Sequence, residues 1–549
     1  MQLHFLSTPR KKAPLPLPAA ASCVHGAAVS RRGAAVCSLL RREWKASSSG
    51  AVVETCPSCG SVCAAAAAMS SQDENGLGAP CDWRSGPDIR HHSVFLKETL
   101  QLLVENAVFQ ATDRNNKVVE WVEPEDLKKQ LDLRLGDEGI THATLLRYLR
   151  GVIRYSVKTG HPYFINQLFS SLDVYGLVGQ WVTDALNPSV YTYEVAPVFT
   201  IMENEVLANM ASIVGYSQHD GLFAPGGSMA NMYGMLLARH RRFPEVKRSG
   251  VGGLGRLVAF TSVDAHYSNT KSAMTLGLGS DNLVLVNVDE EGRMDVDHLK
   301  ECIARTKQDG AIPFLVTATA GRHNRPRAYD PLDAIADGQR RDVATPTPGE
   351  DPSVPQAKAT NIHRSDSVTW NPHKLLAAPQ QCSVFLTRHL GLLTQCNSAS
   401  APYLFQKDKF YDTKYDVGDK HLQCGRRADG TKGLERHIDH LFEMTKFFTD
   451  TIRDREGFRL VLEPQCTNVC FWYERLAAGK RAHEQYPQLL NSVAPRIKER
   501  MVKTGTMMIT YQPLHSRPNF FRLVLQNSQV NAEDMKYFAN QFEVLGRDL

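Results

Sequence analysis

The sequence predicts an α/β protein: a mostly parallel central sheet with helices on both faces, followed by a smaller C-terminal α+β domain. Three observations predict it. From residue 199 onward, short apolar runs alternate with amphipathic stretches: RLVAFTS (256–262), NLVLVNVD (282–289), DVDHLKECIARTKQDG (295–310) and PFLVTATAG (313–321). Strand–helix–strand repetition of this kind builds a parallel sheet covered on both sides. The tail from Leu434 is first helical and then gives TNVCFWY (467–473) and NFFRLVLQN (519–527), which read as strands. The length of 549 residues, with 42% hydrophobic content, supplies cores for two or three domains.

Taken in order, residues 1–68 differ from the rest. They hold Arg10, Lys11, Lys12, Arg31, Arg32, Arg41, Arg42 and Lys45 against only Glu43 and Glu54, in a background of alanine, serine and proline. Two readings fit: a mitochondrial transit segment, or a low-complexity extension ahead of a start at Met69. Residues 1–86 are expected to be a disordered extension. Residues 87–198 read as a helical segment, from HHSVFLKETLQLLVENAVFQ (91–110) and ITHATLLRYLRGVIRYSV (140–157), which space apolar residues at helical intervals. Residues 199–433 form the large domain, opened by the helix FTIMENEVLANMASIVG (199–215), and residues 434–549 the small one. Within the large domain, 338–361 (GQRRDVATPTPGEDPSVPQAKATN) breaks the alternation: four prolines, no aromatic residue and no periodicity read as a surface loop.

The net charge of +5, from 63 basic and 58 acidic residues, excludes a nucleic-acid-binding composition. No run of eighteen apolar residues suggests a membrane span. Twelve cysteines are scattered, as in a reducing compartment. Cys56, Cys59 and Cys63 are spaced like metal ligands, but a closed site needs four and no second pair follows, so no metal is expected.

Three features carry chemistry. Pro225-Gly226-Gly227-Ser228 leads into the helix MANMYGMLLARHRR, where glycines and free helix-start N–H groups suit a phosphate, although such an entry is most often a simple cap. His266 follows the strand RLVAFTS, at the strand end where ligands gather in open α/β sheets and where an imidazole can stack on a planar ring; a lone loop histidine is more often structural. Lys374 sits in SVTWNPHKLLAA (367–378), between a histidine and an apolar run. A desolvated lysine holds a neutral amine, the nucleophile that forms a Schiff base with an aldehyde. Alone it reads as a lysine snorkelling from a core edge. A phosphate cradle, a ring-stacking imidazole and an amine together are what pyridoxal 5'-phosphate needs.

From about Val94 to Leu549 the chain resembles the group II pyridoxal-phosphate decarboxylases, in the branch that acts on glutamate and cysteine sulfinate. The resemblance is carried by RYSVKTGHP, NQLFSSLD, YTYEVAPVF, FAPGGSMANMY, AHYS, DSVTWNPHKLLAA, YLFQKDKFYD, QCGRRAD and NFFRLVLQNS. RYSVKTGHP, NPHKLLAA and QCGRR are most similar to the cysteine sulfinate decarboxylases. The resemblance implies a fold-type I architecture and pyridoxal 5'-phosphate bound as a Schiff base on Lys374. It implies His266 stacked on the ring, with Gly227, Ser228, Asn371 and His373 near the phosphate. It makes Tyr411 the mobile-loop proton donor, has Arg522 grip the substrate α-carboxylate, and lines the pocket for the distal acidic group with Asn166 and Gln167. It also implies a cytoplasmic homodimer that turns cysteine sulfinate into hypotaurine, with glutamate or aspartate decarboxylation as the alternative, and no nucleic-acid or membrane partner.

Four departures stand against it. TATAG runs into RHNRPRAYDPL, where the family has TATSGTT and GAFDPL; Tyr163 stands where the family has arginine; and QCGRRAD jumps to GTKGLERHID. The family's strand ending HVDAAWGG, whose aspartate pairs with the pyridine nitrogen, has no counterpart, its place being held by 338–361, with Asp342 the nearest acid by position. The sheet is therefore expected to lack one strand and the pyridine nitrogen to face no carboxylate. Loss of one such group costs on the order of 10² to 10³ in rate. A catalytically dead splice form or pseudoenzyme is the second reading.

Overall fold

The computed structural model describes residues 2–6, 89–134, 139–169, 171–320, 329–340, 361–401, 404–405, 409, 411–423, 434–464, 466–474, 486–514, 517–527 and 529–549. The chain divides into two compact units, one of Met1–Pro9, Lys97–Arg134 and Tyr148–Leu549, the other of Arg10–Leu96 and Leu135–Arg147. In the second unit the His142 ring stacks on His91 (centroids 4.1 Å apart) and Phe95 (4.3 Å).

The strands are β1 Gln2–Leu6, β2 Phe164–Ile165, β3 Asp220–Ala224, β4 Leu257–Ser262, β5 Leu283–Val286, β6 Ile312–Thr319, β7 Ser367–Trp370, β8 Ser383–Thr387, β9 Phe458–Leu460, β10 Asn468–Tyr473, β11 Met508–Leu514 and β12 Arg517–Val524. The principal helices are α1 Ile89–Leu102, α2 Pro124–Leu131, α3 His142–Tyr155, α4 Val174–Leu186, α5 Pro197–Val214, α6 Gly227–Arg242, α7 Ser268–Thr275, α8 Val296–Gln308, α9 Leu332–Arg340, α10 Leu434–Arg453, α11 Tyr486–Thr504 and α12 Ala532–Leu545.

The large sheet has seven strands in the order β3-β8-β7-β1-β6-β4-β5. β8 pairs antiparallel with β3 and β7, β1 pairs antiparallel with β6 and β7, and β4 pairs parallel with β5 and β6. Five strands thus run one way and β1 and β8 the other. Every residue of β4 and of β8 is buried, because helices cover both faces. On one face, Leu207 and Met210 of α5, Leu299 of α8 and Ile335 of α9 pack against Leu3, Phe260, Val316 and Val368. On the other, α6 lays Tyr233 and Leu237 on Leu222 and Phe385, and Met235 and Ala238 on Ala259 and Leu315. Helix α5 begins with proline at its first turn and ends at Gly215 with φ +84°, a left-handed closure that glycine takes without strain.

Strand β1 corrects the expectation that residues 1–86 stay outside the folded chain. Residues 7–88, with Cys56, Cys59 and Cys63, lie outside the described residues, but Gln2–Leu6 form a strand between β6 and β7. The expected gap in the sheet is therefore filled, by a distant segment running the opposite way. Leu3 is fully buried there, and burying a leucine contributes about 1.5–3 kcal/mol. The strand also pairs the inner edges of β6 and β7, which would otherwise be open. Residues 338–340 close helix α9 and Asn361 opens a 3-10 turn; 341–360, with Asp342, lie outside the described residues.

The small domain carries a second sheet in the order β2-β11-β12-β10-β9, antiparallel except for the β2–β11 pair. Helices α10, α11 and α12 cover it around a cluster that includes Phe448, Phe471, Phe521 and Phe542, with the Phe521 and Phe542 rings edge to face at 4.7 Å. Tyr163 stacks on Tyr537 at 4.3 Å. No described helix is long and apolar enough to cross a membrane.

Candidate active site

The site residues collect where the parallel strands of the large sheet end. Helix α6 follows β3 through Pro225 and Gly226, whose φ of +98° turns the chain into the helix. The first intrahelical bond runs from the Ala230 N–H to the Gly226 carbonyl (3.2 Å), so the N–H groups of Gly227, Ser228 and Met229 have no acceptor within the helix. Gly227 is pressed against Asn371: a Cβ there would lie 2.6 Å from Asn371 Oδ1. Ser228 is exposed at the helix entrance.

Asn371 lies just past β7. It accepts a hydrogen bond from Ser383 Oγ (2.6 Å), and its carbonyl accepts the Lys374 N–H (3.0 Å), closing the turn that presents the lysine. His373 Nδ1 is bonded to the Cys382 carbonyl, and burial lowers its pKa. Lys374 is half-buried. Burial, reinforced by the positive charge of Arg522, pulls its pKa from 10.5 down to about 8. Roughly one molecule in five then carries a neutral amine near pH 7.4, against about one in a thousand for an ordinary lysine.

His266 precedes α7. Its Nδ1 meets Ser268 Oγ at 2.8 Å and accepts the Ser268 N–H at 3.2 Å, which leaves the proton on Nε2. Burial first, then the charges of Lys374 and Lys271, lower its pKa to about 4, so the ring is neutral at physiological pH. Arg522 in β12 is buried opposite Cys470 and Thr510, and burial lowers its pKa. Lys374 thus lies within electrostatic reach of both Arg522 and His266, and the three are the candidate centre of the site.

The remaining expected residues are placed differently. The Tyr411 hydroxyl donates to Asp416 Oδ1 (2.8 Å) and accepts from Lys409 Nζ (3.1 Å), with its ring 5.3 Å from that of Tyr193. Lys409 also bridges Asp416 and Glu194, and these contacts raise its pKa against the opposing effect of burial. Asn166 is buried and accepts from Lys498 Nζ at 2.6 Å. Gln167 is exposed. Lys498, which the sequence reading passed over, is half-buried in α11, also bonds the Ile509 carbonyl, and has its pKa lowered by desolvation to about 8. A signal for it existed: it follows Ala494 by four and precedes Met501 by three, on the helix's buried stripe.

These residues suit a phosphorylated aldehyde. The glycine-backed helix start offers unbonded N–H groups, and a lysine with a usable neutral fraction stands across Asn371 from it. The comparisons with known proteins agree. The model of the pyridoxal-dependent decarboxylase conserved domain matches residues 124–345 and 352–474. Cysteine sulfinic acid decarboxylase of Mus musculus is 47% identical over 474 residues, covering 83% of this chain and 96% of that protein. The acidic amino acid decarboxylase GADL1 of Bos taurus is 44% identical over 489 residues, 85% and 93% of the two chains. The crystal structure of mouse CSAD superposes with a TM-score of 0.78 at 43% identity, covering 84% of this chain and all of that one. Oryza sativa TDC with PLP and tryptamine, at 19% identity and TM-score 0.72 over 84% and 99% of the chains, shares the fold.

The fold and site define a fold-type I, pyridoxal-phosphate-dependent enzyme. The chain belongs to the pyridoxal-dependent decarboxylases, which are carboxy-lyases, and its cofactor is pyridoxal phosphate.

Proposed function

We propose that this protein decarboxylates a short acidic amino acid, with cysteine sulfinate the preferred substrate and hypotaurine the product, a step of taurine biosynthesis. The observation that carries the reading is geometric: Asn371 packs against Gly227 at the α6 entrance and closes the turn that presents Lys374, on which the charge of the buried Arg522 acts. Bound pyridoxal phosphate supplies the electron-accepting ring that takes up the electrons left when carbon dioxide departs. The chain's own residues do the rest. Lys374 Nζ, in its neutral form, would hold the aldehyde carbon, and the α6 entrance at Gly227 and Ser228, with Asn371 and His373, would hold the phosphate. Neutral His266 offers a flat face for the ring. Arg522 fixes the carboxylate of the substrate in a site from which water is largely excluded, where such an interaction is strong. Tyr411, its hydroxyl held between Lys409 and Asp416, is the proton donor, and Asn166 with Gln167 bounds the pocket for the distal acidic group. The names of the relatives, cysteine sulfinic acid and acidic amino acid decarboxylases, support the substrate class.

The working form is a homodimer. Val174, Val178, Val182 and Leu186 form an exposed apolar stripe on α4, and Val198, Ile201 and Met202 an exposed patch on α5; a second copy is the partner that such symmetric apolar faces take. Among the described residues, Cys302, Cys382, Cys396, Cys466 and Cys470 form no disulfide, which suits the reducing cytoplasm.

The test is direct. Purified protein loaded with pyridoxal phosphate is incubated with L-cysteine sulfinate, L-aspartate and L-glutamate, and the amines are separated by chromatography. Hypotaurine should form fastest. A second reading, a catalytically silent relative, draws on the neutral residue that β1 brings to the sheet centre; it predicts no amine from any substrate by protein that still binds cofactor.

A further inference from the structure

Strand β1 brings one polar residue to the ligand end of the sheet. Gln2 lies directly opposite Thr319 of β6 on one side and Thr369 of β7 on the other. Residues directly opposed across a sheet point to the same face. The next row, Leu3, Ala318 and Val368, packs toward α5 and α9, so alternation sends Gln2, Thr319 and Thr369 to the face that α6 covers. All three are buried, at 6%, 6% and 1% exposure. Gln2 Nε2, Gln2 Oε1, Thr319 Oγ1 and Thr369 Oγ1 are all without a hydrogen-bond partner among the described residues.

Four orphaned polar atoms in one row are more than a folded interior usually tolerates, since an unpaired buried polar group has lost its water without gaining a partner. Their position says what would satisfy them. Thr319 ends β6, Thr369 stands five residues before Lys374, and α6 on the same face begins with the Gly227 entrance. A group held by the lysine and by the helix entrance would lie toward the ends of β6, β1 and β7.

We propose that Gln2 is a cofactor contact: its side-chain amide, flanked by the hydroxyls of Thr319 and Thr369, hydrogen-bonds the nitrogen edge of the pyridoxal-phosphate ring, so that the chain's own N-terminal strand completes the site. An amide is neutral. It gives its N–H to an unprotonated ring nitrogen and cannot hold that nitrogen in the charged form as a carboxylate does. The proposal rests on the reading of Lys374 and the α6 entrance as the cofactor site, and its test is chosen to fail separately.

The probe is pyridoxamine 5'-phosphate, which lacks the aldehyde and binds without a bond to lysine. Its affinity for the full chain is measured by fluorescence quenching, alongside the thermal midpoint of the cofactor-free protein. Gln2→Ala should weaken binding about 3- to 10-fold, the worth of one neutral hydrogen bond. Gln2→Leu should weaken it similarly while raising the thermal midpoint, because an orphaned amide is removed. Binding unchanged in both variants overturns the proposal and leaves Lys374 untouched; no binding by the parent chain sinks the cofactor reading itself. The strand's place is checked independently by pairing Leu3→Cys with Val368→Cys. These positions are directly opposed, within the Cα separation a disulfide requires. Oxidation should link the two peptides, and failure to link them at full folding removes β1 from the sheet and the proposal with it.

Discussion

Attachment of pyridoxal phosphate to Lys374, the proposed cofactor lysine, should titrate near pH 8. The perturbation is pH, and the magnitude follows from Lys374, whose pKa is drawn down from 10.5 to about 8 by burial and by Arg522. With that value the neutral amine rises from about 3% at pH 6.5 to about 90% at pH 9, roughly 30-fold, and then levels off. An ordinary lysine would rise about 300-fold over the same span without levelling. Stopped-flow absorbance at fixed pyridoxal phosphate gives the second-order rate of attachment at each pH. Arg522→Met removes a like charge and so moves the midpoint to higher pH. The same group contributes to stability with a definite sign. Its folded pKa lies below the unfolded one, so the unfolded chain binds more protons between about pH 8 and 10.5, and stability from this group rises with pH across that window. An attachment rate that keeps climbing tenfold per pH unit to pH 10 would refute the argument that this lysine is desolvated.

Three further expectations follow from the structure. Leu3→Ala should cost about 2–5 kcal/mol by cavity formation in a fully buried site, read as a lower thermal midpoint, and a chain beginning at Met69 should show the same loss, because it lacks β1; equal midpoints would place Leu3 outside the core. Asn166→Ala takes the acceptor from the half-buried Lys498 ammonium and should destabilise by about 1–3 kcal/mol, whereas Lys498→Met with Asn166→Ala should recover part of it; a double variant no better than the single one would contradict the pairing. Sedimentation at micromolar concentration should give a dimer, and Val178→Glu with Val182→Glu on the exposed α4 stripe should give monomer without activity; a fully active monomer would count against the dimer as the working form.

Much of this was legible because it is local. RLVAFTS, NLVLVNVD and PFLVTATAG are apolar runs bounded by turn signals, and they became β4, β5 and β6. Lys374 stood out because NPHK leads a lysine into apolar surroundings, whereas Arg522 came only from the family resemblance of NFFR. Direction was harder. SVFLT of β8 is buried on both faces, so it carries no alternation, and only pairing shows that it runs against its neighbours. Strand β1 was not legible. QLHFL is five residues long, sits ahead of a basic, proline-rich stretch, and pairs with partners more than 300 positions away; nothing local distinguishes it from the extension around it. Lys498 was missed because a charged residue on a helix reads as solvated unless its place on the buried stripe is counted.

The most direct test of the central claim is where the cofactor is attached. Protein loaded with pyridoxal phosphate is reduced with borohydride, digested and mapped by mass spectrometry. The account predicts the phosphopyridoxyl group on the peptide containing Lys374, and its absence from the Lys374→Ala variant. A label on Lys498 or any other lysine, undiminished by that substitution, would contradict it.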